Sequence, residues 1–383
     1  MAANQSRMDV KQTLSELVGI DSVSARSNRE IADYLSARCG RLGFRVRRFP
    51  YGDERGVEKV NLVACAGWSG TQADEVELAL VGHTDTVPFD PNWSEALRLT
   101  ERDGRLYGRG ACDTKAFIAA ALTAVGTLDL AKLARPLALV FTADEEVGCL
   151  GAKRLAEARP FTARRAIVGE PTSLRPMRAG KGYCLAEVKV AGREAHSAYP
   201  AEGASAIMRA ARLVNRIEQV AGRLRAETHA DFDPPFTTVN VGLISGGTAK
   251  NVIAGECRFT LEWRPVPNQA AARAVKLIQA EAELLRAEDA GFDYEIDVLR
   301  LDGGVETPAD ARIVRHLEAA TGQSAGTIAF GTEAPQLIEL GAESVVFGPG
   351  DIRHAHRTGE FVPVAELERA VEILAGAIRE FCF

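Results

Sequence analysis

Residues 137–148 read LALVFTADEEVG, an apolar run from Leu137 to Phe141 and, after two further residues, three consecutive acids, Asp144, Glu145 and Glu146. The run Leu137–Phe141 shows no polar alternation, which predicts a strand buried on both faces, as in a parallel sheet. Adjacent carboxylates repel one another, and burial opposes their ionisation. The stretch therefore predicts an α/β core with a cation bound where this strand ends.

Strands and helices alternate on both sides of this stretch. Short apolar segments predict strands at Phe44–Tyr51, Asn61–Ala66, Val76–Val81, Arg165–Val168 and Ser344–Phe347. Helical periodicity starts at Val10, a capping-box spacing at Ser27–Glu30 predicts the start of a second helix, and Lys115–Val125 is predicted to be a buried helix. The outer parts of the chain are thus predicted to form an α/β layer structure.

The middle of the chain follows a different pattern, β-α-β-β-α-β, which is the ferredoxin-like plan. Its predicted elements are Tyr183–Val190, Ala204–Val220, Thr237–Ile244, Glu256–Trp263, Asn268–Leu285 and Phe292–Leu299. We therefore expect a two-domain α/β protein. A catalytic α/β layer domain of residues 1–176 and 302–383 would be interrupted by an inserted lid and dimerisation domain of residues 177–301.

Composition excludes several function classes. The chain has 383 residues and a net charge of −6, with its Lys and Arg residues scattered, so a nucleic-acid or membrane partner is not expected. The opening MAANQSRMDV lacks the apolar core of a signal peptide. The seven cysteines form no C-x-x-C pair, which argues against disulfides and zinc–thiolate sites. We expect a cytoplasmic protein with reduced thiols.

Acids and histidines follow the predicted strands at several points. They are His83 with Asp85, the acids 144–146, Glu170 and the histidines 354 and 356. Ligands of an open α/β sheet bind at the carboxyl ends of its strands, so these side chains can converge on one site. His354 is the weakest candidate of this group.

Each of these residues has a functional interpretation and a structural one. His83 and Asp85 suit a metal-bound imidazole oriented by a carboxylate, or equally a histidine hydrogen-bonded at a strand end. Asp113 can bridge two metal ions, or cap the helix that follows it. On extended backbone Glu145 and Glu146 would point in different directions, leaving one to bind metal and the other to act as a general base. Asp144 is interpreted as solvated.

A charge count favours two divalent ions. Neutral His83 and His356 with Asp113, Glu146 and Glu170 bring three negative charges against four positive ones. The charge that remains can activate a water molecule for hydrolysis. Mixed imidazole and carboxylate ligands suit zinc or cobalt better than magnesium.

Six motifs together resemble the M20 dinuclear-zinc amidohydrolases and exopeptidases. They are GHTDTVP (82–88), GRGACDTK (108–115), DEEVG (144–148), GEPT (169–172), GREAHSAYP (192–200) and GPGDIRHAH (348–356), and they occur in the family's order over nearly the whole chain. Thr114 and Ala116 depart from the Met and Gly that many relatives have after the bridging Asp.

The resemblance implies a role for each site residue. One metal ion would be held by His83 and Glu170 and the other by His356 and Glu146, with Asp113 bridging. The resemblance also makes Asp85 the residue that orients His83 and Glu145 the general acid and base. His196 of the inserted domain would cross a homodimer to stabilise the oxyanion.

The segment FGTEAP (330–335) resembles the N-acetylornithine deacetylase branch of the family. That branch implies hydrolysis of N-acetyl-L-ornithine to ornithine and acetate, for arginine synthesis. Arg264, with Asn251 nearby, could bind the substrate carboxylate, and Glu333 the distal ammonium; each could equally stabilise a loop. The alternatives are a succinyl-diaminopimelate desuccinylase, a general aminoacylase or dipeptidase, and a non-catalytic metal-binding or dimerisation module.

Overall fold

The computed structural model describes residues 9–67 and 74–383. Residues 1–8, which carry most of the segment used for the signal-peptide prediction, lie outside that range. The chain divides into two compact units. The first takes in the described residues up to Arg178, together with Thr307–Gly326 and Thr332–Phe383. The second consists of Ala179–Glu306 and Thr327–Gly331.

The described elements are numbered here in chain order. The strands are β1 (Arg45–Gly52), β2 (Glu58–Ala66), β3 (Asp74–His83), β4 (Thr100–Arg102), β5 (Arg105–Tyr107), β6 (Leu137–Thr142), β7 (Phe161–Val168), β8 (Met177–Gly180), β9 (Tyr183–Ala191), β10 (Thr238–Gly246), β11 (Glu256–Arg264), β12 (Asp293–Asp302), β13 (Val305–Glu306), β14 (Gly326–Ile328), β15 (Glu343–Val346) and β16 (Phe361–Pro363). The helices are α1 (Val10–Val18), α2 (Arg29–Arg41), α3 (Lys115–Gly126), α4 (Leu150–Ala158), α5 (Ala206–Leu224), α6 (Arg273–Glu288), α7 (Arg312–Thr321), α8 (Ala334–Glu339) and α9 (Val364–Cys382).

The main sheet of the first unit runs in the order β1-β2-β6-β3-β7-β15. Strands β6, β3, β7 and β15 are parallel, whereas β2 is antiparallel to β6 and β1 is antiparallel to β2. Val140, Val81, Val168 and Val346 pair across the parallel strands in one row. The strands therefore end side by side, and the residues that follow them share one edge of the sheet.

Helix α3 is apolar on all sides, and its residues from Lys115 to Val125 are all buried. It contacts α1, α9 and β3, so it lies inside the helical layer that covers the sheet. Each buried Leu or Phe side chain of this kind stabilises the fold by about 1.5–3 kcal/mol. Among the helices of residues 9–67 and 74–383, none has the length and apolar character needed to cross a membrane.

The capping box predicted at Ser27–Glu30 is wrong in one respect. Asn28 occupies the N-cap position of helix α2, but its side chain makes no hydrogen bond to the first turn of the helix. Instead, the Asn28 amide donates to the Val60 carbonyl oxygen at 2.9 Å and accepts from the Val60 N–H at 2.8 Å. Asn28 therefore ties α2 to strand β2, a partner that local spacing does not reveal.

The second unit confirms the predicted ferredoxin-like plan. Its elements β9, α5, β10, β11, α6 and β12 follow in that order, and the antiparallel sheet is arranged β10-β11-β9-β12. One face of the sheet, including Val188, Phe259 and Trp263, packs with Leu213 and Ile278 of the two helices in a core of its own. The unit ends five residues later than the predicted 177–301 and also takes in Thr327–Gly331, which the sequence had placed in the catalytic domain.

Asp144 is not solvated as predicted, because it forms a buried ion pair. The Lys59 Nζ lies 2.7 Å from Asp144 Oδ1, and both side chains are almost fully buried. The same ammonium donates to the main-chain oxygens of Ser24 and Arg26 at 2.5 and 2.9 Å. The Tyr51 hydroxyl donates to Asp144 Oδ2 at 3.0 Å. The Lys59 ammonium group from strand β2 thus forms an ion pair with the first of the three acids.

We expect Lys59→Met to lower the free energy of unfolding by about 3–5 kcal/mol, because it leaves the Asp144 carboxylate buried without its charge partner. Urea denaturation of the metal-free protein measures the change. Lys59→Met combined with Asp144→Asn is the matched control, and it should recover more than half of the loss. Equal stability of Lys59→Met and the unmutated protein would contradict the importance of this pair.

Candidate active site

The edge of the sheet gathers the predicted metal ligands. His83 ends β3, Glu146 follows β6, Glu170 follows β7 and His356 lies beyond β15, while Asp113 precedes α3 by two residues. The Nε2 atom of His83 is 3.0 Å from Asp113 Oδ1, and that of His356 is 3.1 Å from Asp113 Oδ2. The two oxygens of one carboxylate therefore face two different histidines, as a bridging ligand requires.

His356 also lies close to Glu146, with 3.0 Å between Nε2 and Oε2. The atoms that His83, Asp113 and Glu146 can offer as ligands all fall within 4.8 Å of one another. Two ligands bonded to one tetrahedral zinc ion at about 2.0–2.1 Å lie about 3.3 Å apart. The spacing of these side chains therefore suits metal coordination.

Glu170 provides a further observation in favour of a metal. Its side chain is buried, and its Oε1 atom has no hydrogen-bond partner among the described residues. Burial, followed by the neighbouring Asp113 and Glu145 carboxylates, raises the pKa of Glu170 well above its usual value. An unsatisfied buried carboxylate beside other acids is destabilising unless a cation neutralises it.

The histidines carry protons in the metal-free cluster. Hydrogen bonds with Asp113 and Glu146 raise the pKa of His356 to about 10. Burial opposes protonation of His83, but its hydrogen bond with Asp113 and the acids around it raise its pKa well above the usual value. Burial also opposes the charge on Asp113, yet the two histidines hold its pKa below the usual range. The cluster thus attracts positive charge.

Asp85 contacts the site differently from the prediction. The Nδ1 atom of His83 is 3.1 Å from the main-chain oxygen of Asp85, and 3.7 Å from its carboxylate. The carboxylate instead accepts the main-chain N–H of Glu145 at 3.1 Å, that of Glu146 at 3.3 Å and the Ser24 hydroxyl at 2.7 Å. The main-chain oxygen therefore accepts from Nδ1–H and leaves Nε2 of His83 directed at Asp113, which is the tautomer that the neutral ring would need to bind a metal. The carboxylate holds the turn that carries both acids.

Glu145 and Glu146 lie in this turn rather than on extended backbone, contrary to the sequence prediction. Asp144 and Cys149 lie at the two ends of the turn, with φ angles of 58° and 56°. Residues other than glycine rarely adopt this left-handed backbone conformation. The N–H groups of Gly148 and Cys149 both donate to the Glu145 carbonyl oxygen at 2.9 Å. From this turn the Glu145 carboxylate contacts the Cys149 thiol and the Glu146 carboxylate contacts His356, and the pattern of alternation along a strand does not apply.

Within the described residues, neither histidine of the cluster donates a hydrogen bond to the Glu145 carboxylate. Its Oε1 accepts from the thiol of the buried Cys149 at 3.3 Å. Burial of the carboxyl group raises the pKa of Glu145 to about 8, with the His83 charge opposing and the Glu146 charge adding to the shift. A carboxylate with a raised pKa beside candidate metal ligands suits a general base.

Glu333 is fully buried in the first unit, and neither of its carboxylate oxygens has a hydrogen-bond partner within the described ranges. Burial raises its pKa to about 7, opposed by the charge of His83 and by the nearby Thr142 hydroxyl, which lies too far away to make a full hydrogen bond. Leaving a charged group unpaired in the interior is costly. Glu333 is therefore a buried acidic group that a cationic part of a ligand could neutralise.

Sequence reasoning missed two residues that support the cluster. Glu360 is buried and accepts the main-chain N–H groups of Cys112 and Asp113, and no motif marks it. The Thr114 hydroxyl donates to the Gly169 carbonyl oxygen at 3.0 Å, which links the segments of two candidate ligands. Thr114 was noted only as a departure from the family pattern. The ring of His354 lies 4.4 Å from that of Phe361.

The remaining predicted residues belong to the second unit. His196 is exposed, and its Nδ1 accepts the Ala198 N–H at 3.1 Å. The Asn251 carbonyl oxygen accepts the Ser197 N–H at 3.0 Å, so the His196 and Asn251 loops are adjacent. Arg264 donates to Glu262 at 2.8 Å and to the Ala329 carbonyl oxygen at 2.8 Å, and its guanidinium lies 4.5 Å from the Tyr183 ring centre.

Known proteins resemble this chain over nearly its whole length. An acetylornithine deacetylase of Myxococcus xanthus is 56% identical over 374 residues, 97% of each chain. One of Pasteurella multocida is 36% identical and covers 95% of this chain and 94% of its own. A crystal structure of a tripeptidase from Staphylococcus aureus shares the fold, with a TM-score of 0.78 at 24% identity over 99% of this chain and 98% of its own.

A family model, described as peptidase family M20/M25/M40, matches residues 79–380. This range contains every candidate metal ligand described above. Together with the identities to the curated relatives, the match establishes the resemblance that the six motifs suggested. The chain belongs to peptidase family M20/M25/M40, a family of metal-dependent hydrolases.

Proposed function

We propose that the protein is a two-metal amidohydrolase whose substrate is N-acetyl-L-ornithine, which it converts to L-ornithine and acetate. The observation that carries the proposal is the placement of Asp113 between His83 and His356, with Nε2 to oxygen distances of 3.0 and 3.1 Å. Glu145 lies in the same cluster, so the ligands and a base are present together. A non-catalytic metal-binding module would not need that base.

The residues of the cluster fit two divalent ions. His83 and Glu170 would hold one ion and His356 and Glu146 the other, with Asp113 shared between them. Imidazole and carboxylate donors in this ratio suit zinc, and cobalt as a substitute. When bound, such ions polarise an amide carbonyl group and lower the pKa of water.

The side chains of the protein would move the protons of the reaction. Glu145 accepts a proton from the attacking water and then donates it to the nitrogen of the departing amine. Its carboxylate is kept in place by the Cys149 thiol, and its main chain by Asp85. His196 would stabilise the negative charge that develops on the carbonyl oxygen.

N-acetylornithine has two charged groups, and each is complementary to a charged residue that takes no part in the proton transfers. The substrate has a carboxylate and a distal ammonium. Glu333, buried with both oxygens unpartnered among the described residues, would bind the ammonium. Arg264 would bind the carboxylate through its guanidinium, with Asn251 assisting. The names of the curated relatives point to the same substrate.

Ornithine produced by this reaction would serve arginine synthesis. We assign the protein to the cytoplasm because its seven cysteines are all buried thiols, as expected in a reducing compartment. Fractionation of cells would test this assignment, and recovery of the protein outside the cytoplasm would contradict it.

The substrate preference is tested by measuring release of ornithine, methionine or diaminopimelate from N-acetyl-ornithine, N-acetyl-methionine and N-succinyl-diaminopimelate with zinc-loaded protein. We expect N-acetyl-ornithine to have the highest kcat/KM. Glu145→Gln should lower kcat by about 10²–10⁴-fold, because the proton acceptor is lost, while the bound zinc stays. Preference for the succinylated substrate would identify a desuccinylase and contradict the proposed substrate but not the two-metal mechanism.

Two variants in the same assay test substrate recognition. Arg264→Ala should raise KM for all substrates by about 10–100-fold, the value of a charge-assisted hydrogen bond. Glu333→Gln should lower kcat/KM for N-acetyl-ornithine by a similar factor but leave N-acetyl-methionine unchanged. Loss of zinc in Arg264→Ala would contradict its recognition role, and an equal loss for both substrates in Glu333→Gln would contradict its contact with the ammonium.

Metal binding should become tighter as pH rises. Protons occupy His356 below its pKa of about 10, and only the neutral imidazole binds metal. Each proton displaced makes the affinity about tenfold higher per pH unit, across roughly pH 6 to 9. Calorimetry of zinc binding in buffers with different ionisation enthalpies counts the released protons. His356→Ala should release about one fewer, whereas His316→Ala should match the unmutated protein. Binding that does not depend on pH would contradict the protonated cluster.

We also propose a homodimer formed through the second unit. Leu243 and Ile244 on the edge strand β10 are 72% and 56% exposed, and Met208 on α5 is 67% exposed. Apolar side chains on an unpaired strand edge favour pairing with a second copy. Sedimentation should give about twice the chain mass of 41.1 kDa. Leu243→Asp should give a monomer and Leu284→Asp, on α6, should not. A monomeric unmutated protein would contradict the proposal.

A further inference from the structure

Glu360 is a buried acid with no part in the proposed reaction. It lies directly before β16 and is 0% exposed. Its Oε2 accepts from the guanidinium of Arg109, which is also buried and donates to the Pro88 carbonyl oxygen at 3.2 Å. The ring of Trp93 lies 5.5 Å from the same guanidinium. The buried Arg109 guanidinium thus balances the negative charge of the Glu360 carboxylate.

The other oxygen of Glu360 has an unusual pair of partners. Oε1 accepts the main-chain N–H of Cys112 at 2.9 Å and that of Asp113 at 3.0 Å. The main-chain oxygen of Glu360 in turn accepts the Gly108 N–H at 3.1 Å. One residue from the C-terminal part of the chain therefore fixes both ends of the loop that delivers Asp113.

The position of this loop decides what Asp113 can do. Its two carboxylate oxygens must face His83 and His356 at the same time, and these histidines come from distant parts of the chain. Only three covalent bonds separate the Asp113 nitrogen from the carboxylate carbon. A shift of the main chain is therefore transmitted almost directly to the oxygens. Groups that orient a ligand in this way tune metal affinity.

We propose that Glu360 is a positioning residue for Asp113, holding its main-chain N–H so that both carboxylate oxygens face the two histidines before metal binds. The proposal rests on the bridging role of Asp113 in the proposed function. Glu360 acts through the peptide group and contacts neither substrate nor metal. The competing explanation is an ordinary buried ion pair with Arg109, which would stabilise the fold and leave metal affinity alone.

The matched control is another buried carboxylate–guanidinium pair in the same unit. Glu77 is 6% exposed and pairs with Arg165. It lies on β3 six residues before His83, about 20 Å away along the strand. Glu77→Gln therefore disturbs a comparable ion pair without reaching the cluster, and both Glu77→Gln and Glu360→Gln should lower the melting temperature.

The experiment measures zinc and cobalt affinity by competition with a chelator, together with the visible spectrum of the cobalt form, which reports ligand geometry. We expect Glu360→Gln and Glu360→Asp to lower the affinity for at least one ion by about 10–100-fold and to change the cobalt spectrum. Glu77→Gln should change neither. Glu360→Asp keeps the charge but withdraws it from the two N–H groups, so it tests the proposal even if Glu360→Gln fails to fold.

Folded Glu360→Asp that binds both ions as tightly as the unmutated protein, with the same cobalt spectrum, would overturn the positioning role alone. Equal losses of affinity in Glu77→Gln and the Glu360 variants would also overturn it, because the effect would then be general destabilisation. An unmutated protein that binds no metal would overturn the proposed function as well. The two failures are therefore distinguishable in one set of titrations.

Discussion

Repulsion among buried carboxylates governs the carboxyl edge of the main sheet. Asp85, Asp113, Asp144, Glu170 and Glu333 are all buried at or near this edge, and a carboxylate in a protein interior needs a hydrogen-bonding or charged partner. Some are satisfied by the protein itself, as Lys59 satisfies Asp144 and main-chain N–H groups satisfy Asp85. Others, above all Glu170, keep an oxygen without a partner among the described residues. This division separates the acids that shape the site from those that are candidates to bind a cation.

Secondary structure that depends on neighbouring residues could be predicted from the sequence, whereas contacts between residues far apart in the chain could not. Buried parallel strands, the insertion and its βαββαβ order could be identified because apolar periodicity is a local property. Lys59 could not be recognised as the partner of Asp144, since 85 positions separate them, and Glu360 lies 247 positions from Asp113. The extended backbone expected at Glu145 and Glu146 was wrong because Asp85, which follows strand β3 and lies 60 positions from Glu145, accepts the N–H groups of both acids and holds them in a turn.

The same reasoning explains the bounds of the second unit. Its core residues alternate on β9 and β11 and recur with helical spacing on α5 and α6, so its centre was predictable. Segment Thr327–Gly331 belongs to it although a helix of the first unit, α7, separates the two in the chain. The domain to which a five-residue segment belongs depends on its tertiary contacts, and the pattern of its own residues does not reveal them.

The wide separation of the site's parts also bears on biogenesis. Synthesis supplies His83, Asp113, Glu146 and Glu170 first, whereas His356 follows Glu170 by 186 residues and Glu360 comes later still. Until then the growing chain carries an acidic cluster that lacks both its second histidine and the carboxylate that fixes the Asp113 loop. Domains fold as their last parts leave the ribosome. The candidate ligand cluster can therefore be completed only after the segment that carries His356 and Glu360 has been synthesised.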